Sequence, residues 1–156
     1  MEENMPSTYK DVASLRGALQ GRWKPVYQEM GGEMAPATDP THAVELQGNE
    51  FKVIKGGKVA YEGRFNLTPQ TFPHGIVLIY TTSIQPIFLG GPRPGVFQIE
   101  GDTLKWCFAG VGQAAPDGLN TYPGSVYVLT ILQRDPQTPE LASRRVLPEG
   151  GGNDLW

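Results

Sequence analysis

Three glycine-based turns constrain the fold of this chain more than any other feature of its sequence. Gly48-Asn49, Gly56-Gly57 and Gly101-Asp102 each stand between two segments with strand character. A two-residue loop of this composition is typical of a tight hairpin, because its central residues take positive φ values that glycine adopts freely and that Asn and Asp tolerate. The turns therefore predict consecutive antiparallel strands.

The segments around these turns carry the residue pattern of β-strands. In the first of them, Trp23, Pro25 and Tyr27 share one face, and Val26 is an apolar exception on the polar face. The first strand is predicted to start at Trp23. Seven further strands are predicted over residues 43–46, 51–55, 58–67, 75–80, 95–100, 103–108 and 125–132. Helical spacing is found early in the chain at residues 11–20, where a short helix is expected. The 20 glycines and 14 prolines among 156 residues argue against a helix-built fold, because both residues break helix interiors.

About eight sequential antiparallel strands leave two exposed edges unless the sheet closes on itself. We therefore predict an all-β fold, an up-and-down antiparallel β-barrel of about eight strands with a short N-terminal helix. Residues 11–134 are expected to form this one domain. Residues 1–10, before this domain, are expected to be flexible. Residues 135–156, after it, are expected to form a Pro/Gly-rich tail that is partly disordered, with a short helix near residues 138–145.

The links between the strands differ in length at the two ends of such a barrel. One end would carry the short links 48–49, 68–74 and 101–102. The other end would carry the turn 56–57 and three long loops, 30–42, 81–94 and 109–124. Because binding residues commonly lie on loops held by a rigid scaffold, the loop-rich end is the expected site of function.

Charge and cysteine content exclude several classes of protein. The net charge of −3 and the scattered basic residues give no surface for nucleic acid. The single cysteine, Cys107, excludes an internal disulfide and a cysteine zinc site, and two isolated histidines do not make a metal site, so neither a metal nor a cofactor is expected. No apolar run is long enough for a membrane span or a secretion signal, and a cytoplasmic location is expected.

Several motifs in this sequence resemble a known family. They are LQGRW (residues 19–23), GGKVAYEGRFNL (56–67), GVFQIEGDTLKWCFA (95–109), YPGS (122–125) and LQR (132–134). The first and last are similar to the Gly-x-Trp opening and the basic end of lipocalins and related calycin barrels. More narrowly, residues 19–134 resemble a lipocalin-like domain family of mostly uncharacterised bacterial proteins, abundant in planctomycetes.

The resemblance implies a fold more than an activity. In the family pattern the Trp, here Trp23, plugs the closed end of the barrel, and the Arg, here Arg134, packs across it. The resemblance also implies a small-molecule pocket by analogy. The loop 109–120 and the absence of a secretion signal are departures from the family pattern.

Side chains alternate between the two faces of a strand, and this alternation predicts which of them line the barrel. Aromatic residues dominate the predicted lining. Tyr and Trp combine an apolar body with a polar tip, which suits a small apolar or amphipathic ligand. The predicted ligand-binding residues are Tyr27, Tyr61, Tyr80, Phe97, Trp106 and Phe108, with Arg93 and Tyr122 in the loops that would cover them. Arg93 is also a candidate anion contact at the rim.

Three further residues bear on chemistry. A surface or loop role is expected for both histidines, His42 at the loop-rich end and His74 at the end with the short links. For acid-base catalysis, His42 is the best single candidate. Cys107 alternates out of phase with its inward neighbours, so it is expected on the outer face, buried and inert.

Three functions remain open on these residues. The first is binding of a small, largely apolar molecule in the barrel cup. The second is a cofactor-independent biosynthetic enzyme, such as a cyclase, isomerase or lyase, that uses the same cavity. The third is a protein-interaction module with a filled barrel.

Overall fold

The computed structural model describes residues 11–35 and 39–135, and these form a β-barrel with one short α-helix. The helix is α1 (Val12–Leu19), and a short 3-10 segment covers Pro86–Gly90. The strands are β1 (Gly21–Met30), β2 (Glu33–Ala35), β3 (Ala43–Gln47), β4 (Glu50–Lys55), β5 (Lys58–Thr68), β6 (His74–Ser83), β7 (Arg93–Glu100), β8 (Thr103–Phe108) and β9 (Val128–Arg134). The predictions for residues 1–10 and for the tail beyond residue 135, with its helix, lie outside the described residues.

Eight of the strands close into an antiparallel barrel, as the sequence predicts. β1 pairs with β3, each later strand pairs with the next, and β9 returns to β1 from Trp23↔Arg134 to Met30↔Val128. The one strand outside this barrel is the short β2, which pairs antiparallel with the C-terminal end of β1, from Gln28↔Ala35 to Met30↔Glu33. This strand was not predicted from the sequence. β9 begins at Val128, so the strand predicted over residues 125–132 starts too early: Val126 lies in the preceding loop and is 58% exposed.

One end of the barrel is closed by α1, and we call it the helix end. Asp11 caps α1 by accepting a hydrogen bond from the backbone N–H of Ser14 at 2.7 Å. Leu15 and Leu19 of α1 are fully buried in the barrel core. After the helix, the side chain of Gln20 bonds both backbone groups of Gly48, in the β3–β4 turn.

Arg134 holds the helix end together. Its guanidinium lies 4.3 Å from the centre of the Trp23 ring and donates to the carbonyls of Ala18 and Gln20 at 3.1 and 2.7 Å. It also donates to the Asp102 carboxylate at 2.9 Å. The side chain thus neutralises carbonyls at the C-terminal end of α1 and covers the indole, the arrangement that the resemblance implies for these two residues.

Replacing Arg134 tests this arrangement. Arg134→Met is expected to lower the free energy of unfolding by about 2 kcal/mol, because the variant loses charge-assisted hydrogen bonds and a cation–π contact at a partly exposed position. Urea denaturation of the variant and of Arg64→Met, on an exposed face of β5, measures the effect. An equal, small loss in both variants would contradict the role of Arg134.

A β-bulge in β1 reverses the predicted faces of that strand. The pairing with β9 shifts between Pro25 and Tyr27, so Val26 is the extra residue and is exposed. Trp23 and Pro25 therefore face inward, but Tyr27 turns outward and Gln28 inward. The inward orientation predicted for Tyr27 is wrong for this reason.

Candidate functional site

Most of the predicted ligand-binding residues meet inside the barrel. They belong to one core cluster, and each is at most 5% exposed: Tyr61, Tyr80, Phe97, Trp106 and Phe108. Strand alternation produces this convergence because the inward positions of neighbouring strands stand side by side. The structure thus brings these five aromatic residues together, as parity predicts.

A transverse row of side chains crosses the interior at one register level. The residues are paired directly from strand to strand in the order His74, Phe97, Trp106, Thr130 and Gln28. We call this set the central row, and all of its members are buried. Gln28 Nε2 donates to Thr130 Oγ1 at 3.4 Å. Polar groups therefore interrupt an otherwise apolar interior.

Trp106 supplies a hydrogen-bond donor within this row. Its side chain is 2% exposed, and its indole Nε1 has no hydrogen-bond partner among the residues that the structure describes. The ring of Phe108 stands 5.3 Å away, edge to face. Buried N–H groups in native proteins are nearly always paired, so a donor in this state is a place where an acceptor from another molecule would be stabilised.

At the loop-rich end, Phe88 from the 3-10 segment packs against the barrel core. Its ring stacks on Tyr80 with centroids 4.9 Å apart and an interplanar angle of 19°, and it meets the edge of Tyr61 at 5.5 Å. Tyr80 in turn packs against Phe51 at 5.3 Å. Phe88 thus extends the barrel core into the loops.

Arg93 lies beneath Phe88, inside the barrel and not at an exposed rim as predicted. Its side chain is 5% exposed, and its Cζ lies 4.8 Å from the Phe88 ring centre and 5.4 Å from that of Phe108. It donates to the carbonyl of Ala109 at 2.8 Å and to the Tyr80 hydroxyl at 3.0 Å. Although the charge of Arg93 opposes the change, burial raises the pKa of Tyr80, so this phenol stays protonated at neutral pH.

Two of the predicted binding residues do not reach the interior. Tyr27 packs with Cys107 and Leu129 in a cluster on the outer face of the barrel. Tyr122 is half exposed and contacts Tyr127, which belongs to the periphery of the same cluster. Neither residue lines the cup in this structure.

The loop before β9 covers the outer face and not the mouth of the barrel. Thr121 donates to Glu29 at 2.6 Å and accepts from the backbone N–H of Gly32 at 2.9 Å. Hydrogen bonds from Thr121 and Tyr27 lower the pKa of Glu29. Cys107 is buried under this loop on the outer face, as predicted, and burial raises the pKa of its thiol to about 11, which keeps it unreactive at neutral pH.

His42 lies at the loop-rich end, as its position predicts, but it is buried. Its side chain is 6% exposed, close to the ammonium group of Lys55 and to Asp39. Burial, followed by the charge of Lys55, lowers the pKa of His42 to about 4. The imidazole is therefore neutral at physiological pH and poorly matched to acid-base catalysis there.

Asp39 organises the loop that carries His42. One carboxylate oxygen accepts from the backbone N–H of Thr41 at 2.8 Å, and the other accepts from that of Gly56 at 2.9 Å. Burial alone would raise the pKa of Asp39, but these hydrogen bonds lower it. The loop is thereby tied to the β4–β5 turn, which fixes the position of His42.

His74 is the histidine that lies in the barrel interior. It is 2% exposed, and its ring stands 5.4 Å from that of Phe97. The surface or loop role expected for it is wrong, because it occupies the first inward position of β6. Its Nδ1 lies 3.1 Å from the carbonyl oxygen of Pro69. Since a carbonyl only accepts, Nδ1 carries the proton and Nε2 is the atom left to exchange one.

Sequence reasoning missed four residues of this interior: Gln28, His74, Phe88 and Thr130. Val26, the apolar exception in β1, was a signal of the bulge that turns Gln28 inward. The apolar triplet Ile87, Phe88 and Leu89 within a Gly/Pro-rich loop was a signal of a buried anchor. No local signal distinguished His74.

Comparison with protein-family models, with curated proteins and with solved structures gave no match for this chain. Within residues 11–35 and 39–135, no helix has the length and apolar character to cross a membrane. The same residues contain no group of three or more His, Cys, Asp or Glu side chains placed to hold a metal ion.

Proposed function

We propose that this protein binds a small, largely apolar molecule inside the barrel and that the molecule carries a hydrogen-bond acceptor. The proposal is carried by the Nε1–H of Trp106, which has no hydrogen-bond partner among the described residues. A buried donor without a partner costs roughly 1–3 kcal/mol, and an acceptor on a ligand would recover that cost. The ligand would lie between the central row and the loop-rich end.

The side chains around Trp106 support this choice of ligand. Phe97 and Phe108 offer apolar ring surface, and Thr130 and Gln28 offer polar atoms at a few defined points. Small-molecule sites typically have this composition, with mostly apolar walls and a few polar groups that fix orientation.

Membership of a lipocalin-like family is part of the same proposal. Its support is the closed barrel of eight strands together with the packing of Arg134 over Trp23 at the helix end. A cytoplasmic location is likewise proposed, on the single buried cysteine, Cys107.

A matched pair of ligands tests the role of Trp106. Acetophenone and ethylbenzene have nearly the same shape, but only acetophenone has a carbonyl acceptor. We expect wild-type protein to bind acetophenone about fivefold more tightly, which corresponds to one hydrogen bond of about 1 kcal/mol. In Trp106→Phe this preference should disappear, as measured by titration calorimetry or by the ligand-dependent rise in Tm.

The control for this experiment is a tryptophan outside the proposed site. The indole N–H of Trp23 at the helix end is already bonded to the Leu19 carbonyl at 2.9 Å, so Trp23→Phe should leave the preference for acetophenone intact. If Trp106→Phe keeps the full preference, or if wild-type protein shows none, the proposed function is wrong.

A second candidate function is a cofactor-independent enzyme, and His74 is the observation that favours it. A buried imidazole in the central row, with Nδ1 fixed by the Pro69 carbonyl, has one nitrogen with which to move a proton. Turnover of a bound molecule that is abolished in His74→Gln but retained in His42→Gln would establish it.

A further inference from the structure

The surroundings of Phe88 form a built site for one aromatic ring. Tyr80 stacks on one face of the Phe88 ring, Tyr61 meets it edge-on, and the guanidinium of Arg93 lies 4.8 Å from its centre. Stacking, edge-to-face contact and cation–π attraction all favour an aromatic ring over a saturated one of equal size. We call this place the ring site.

The segment that supplies Phe88 is attached to the barrel mainly through this ring. Its flanking residues Ile87 and Leu89 are 69% and 50% exposed, and Phe88 is the member of Pro86–Gly90 that packs on the core. The backbone N–H of Phe88 donates within the local turn, to the Gln85 carbonyl at 3.1 Å. Among the described residues, moving the segment outward would therefore chiefly break the contacts of the Phe88 ring.

The strands around the ring site are fixed independently of Phe88. Tyr80 and Arg93 belong to β6 and β7, which are paired from His74↔Phe97 to Leu78↔Arg93. Arg93 is held by the Ala109 carbonyl and the Tyr80 hydroxyl. The site would thus keep its shape if the Phe88 ring left it.

We propose that Phe88 occupies the subsite of a ligand's aromatic ring and that the ligand class is a small aromatic molecule. The ligand's ring would replace that of Phe88 against Tyr80, Tyr61 and Arg93, while its acceptor meets Trp106. This inference rests on the proposed function and adds to it the ring, the route of entry and the side chain that the ligand displaces.

Removing the Phe88 side chain tests the inference directly. In Phe88→Ala the ring site is empty, and phenol should fill it, raising the Tm of the full-length variant in a saturable manner and more than that of wild-type protein. Cyclohexanol, which has the same hydroxyl on a saturated ring, should bind about fivefold more weakly. Adding Tyr80→Leu to Phe88→Ala should remove the preference for phenol.

Phe72→Ala is the matched control, because Phe72 is half exposed at the helix end. Phenol should raise the Tm of this variant no more than that of wild-type protein. If Phe88→Ala does not fold, Phe88→Leu removes the ring and keeps apolar volume, and the same two ligands are compared by titration calorimetry.

Two results would overturn the inference. Equal binding of phenol and cyclohexanol to Phe88→Ala would mean that the site is merely apolar. If neither compound raises the Tm of Phe88→Ala above that of the variant alone, the site is no ligand subsite. Both results leave the acetophenone comparison in wild-type protein and Trp106→Phe unaffected, so failure of the ring site is distinguishable from failure of the proposed function.

Discussion

Gly63→Ala is expected to destabilise this protein by at least about 4 kcal/mol, above the usual 1–3 kcal/mol for an over-packed core. Gly63 occupies an inward position of β5, opposite Tyr80 of β6. A Cβ atom added there would stand 2.0 Å from the carbonyl oxygen of Ile79 and 2.9 Å from the Phe51 ring. The first obstacle is backbone, so it cannot move aside as the end of a side chain does.

The same substitution at another glycine provides the control. Gly17 lies on the exposed side of α1, and nothing lies within 4 Å of the position where its Cβ would be. Gly17→Ala should stabilise the protein by roughly 0.5–1 kcal/mol, because alanine loses less backbone entropy in a helix. Urea denaturation measures the free energy of unfolding of both variants. If that of Gly63→Ala lies within about 1 kcal/mol of wild type, which is the ordinary effect of a point mutation, β5 and β6 can separate at this point.

The second large effect is an acid sensitivity that depends on His42. The pKa of its imidazole is about 4 in the folded protein, against 6.5 for an unperturbed histidine. Between these values the unfolded chain binds a proton that the folded protein does not, so stability falls as the pH drops from 6.5 to 4. The loss attributable to His42 over this window is about 3 kcal/mol.

Substitution of His42 by glutamine removes this contribution. The difference in the free energy of unfolding between pH 7 and pH 4 should be about 3 kcal/mol smaller in His42→Gln than in wild-type protein. Glu29, whose pKa is lowered by its hydrogen bonds, adds the same acid sensitivity to both proteins and cancels in the comparison. Asp39 cancels only in part, because the charge of His42 adds to the hydrogen bonds that lower its pKa. If the free energy of unfolding falls equally in both proteins between pH 7 and pH 4, His42 is not buried in its neutral form.

The sequence was sufficient to predict the barrel because its signals are local and repeated. The turns at Gly48, Gly56 and Gly101 all have positive φ values, near 60°, as their hairpins require. Alternation then assigned the inward residues of the regular strands. It failed in β1, because a bulge inserts one residue and every later side chain changes face.

The candidate site was less predictable, for a geometric reason. In a closed barrel the strands are staggered, so residues at one level come from different distances along their strands. His74, the first residue of β6, therefore shares the central row with Gln28, near the end of β1. The position of Phe88 depends on tertiary packing of a loop, which strand alternation does not describe.

The packing of Phe88 against the barrel core has a consequence for any search for ligands. A ligand that needs Phe88 displaced binds only the fraction of molecules in which the ring is out, and its apparent Kd is weaker by that fraction. If one molecule in about 100 is open, a ligand with micromolar intrinsic affinity would appear about 100-fold weaker. Phe88→Ala would then be the better screening reagent, and the ratio of its Kd to that of wild-type protein would measure how often the native barrel opens.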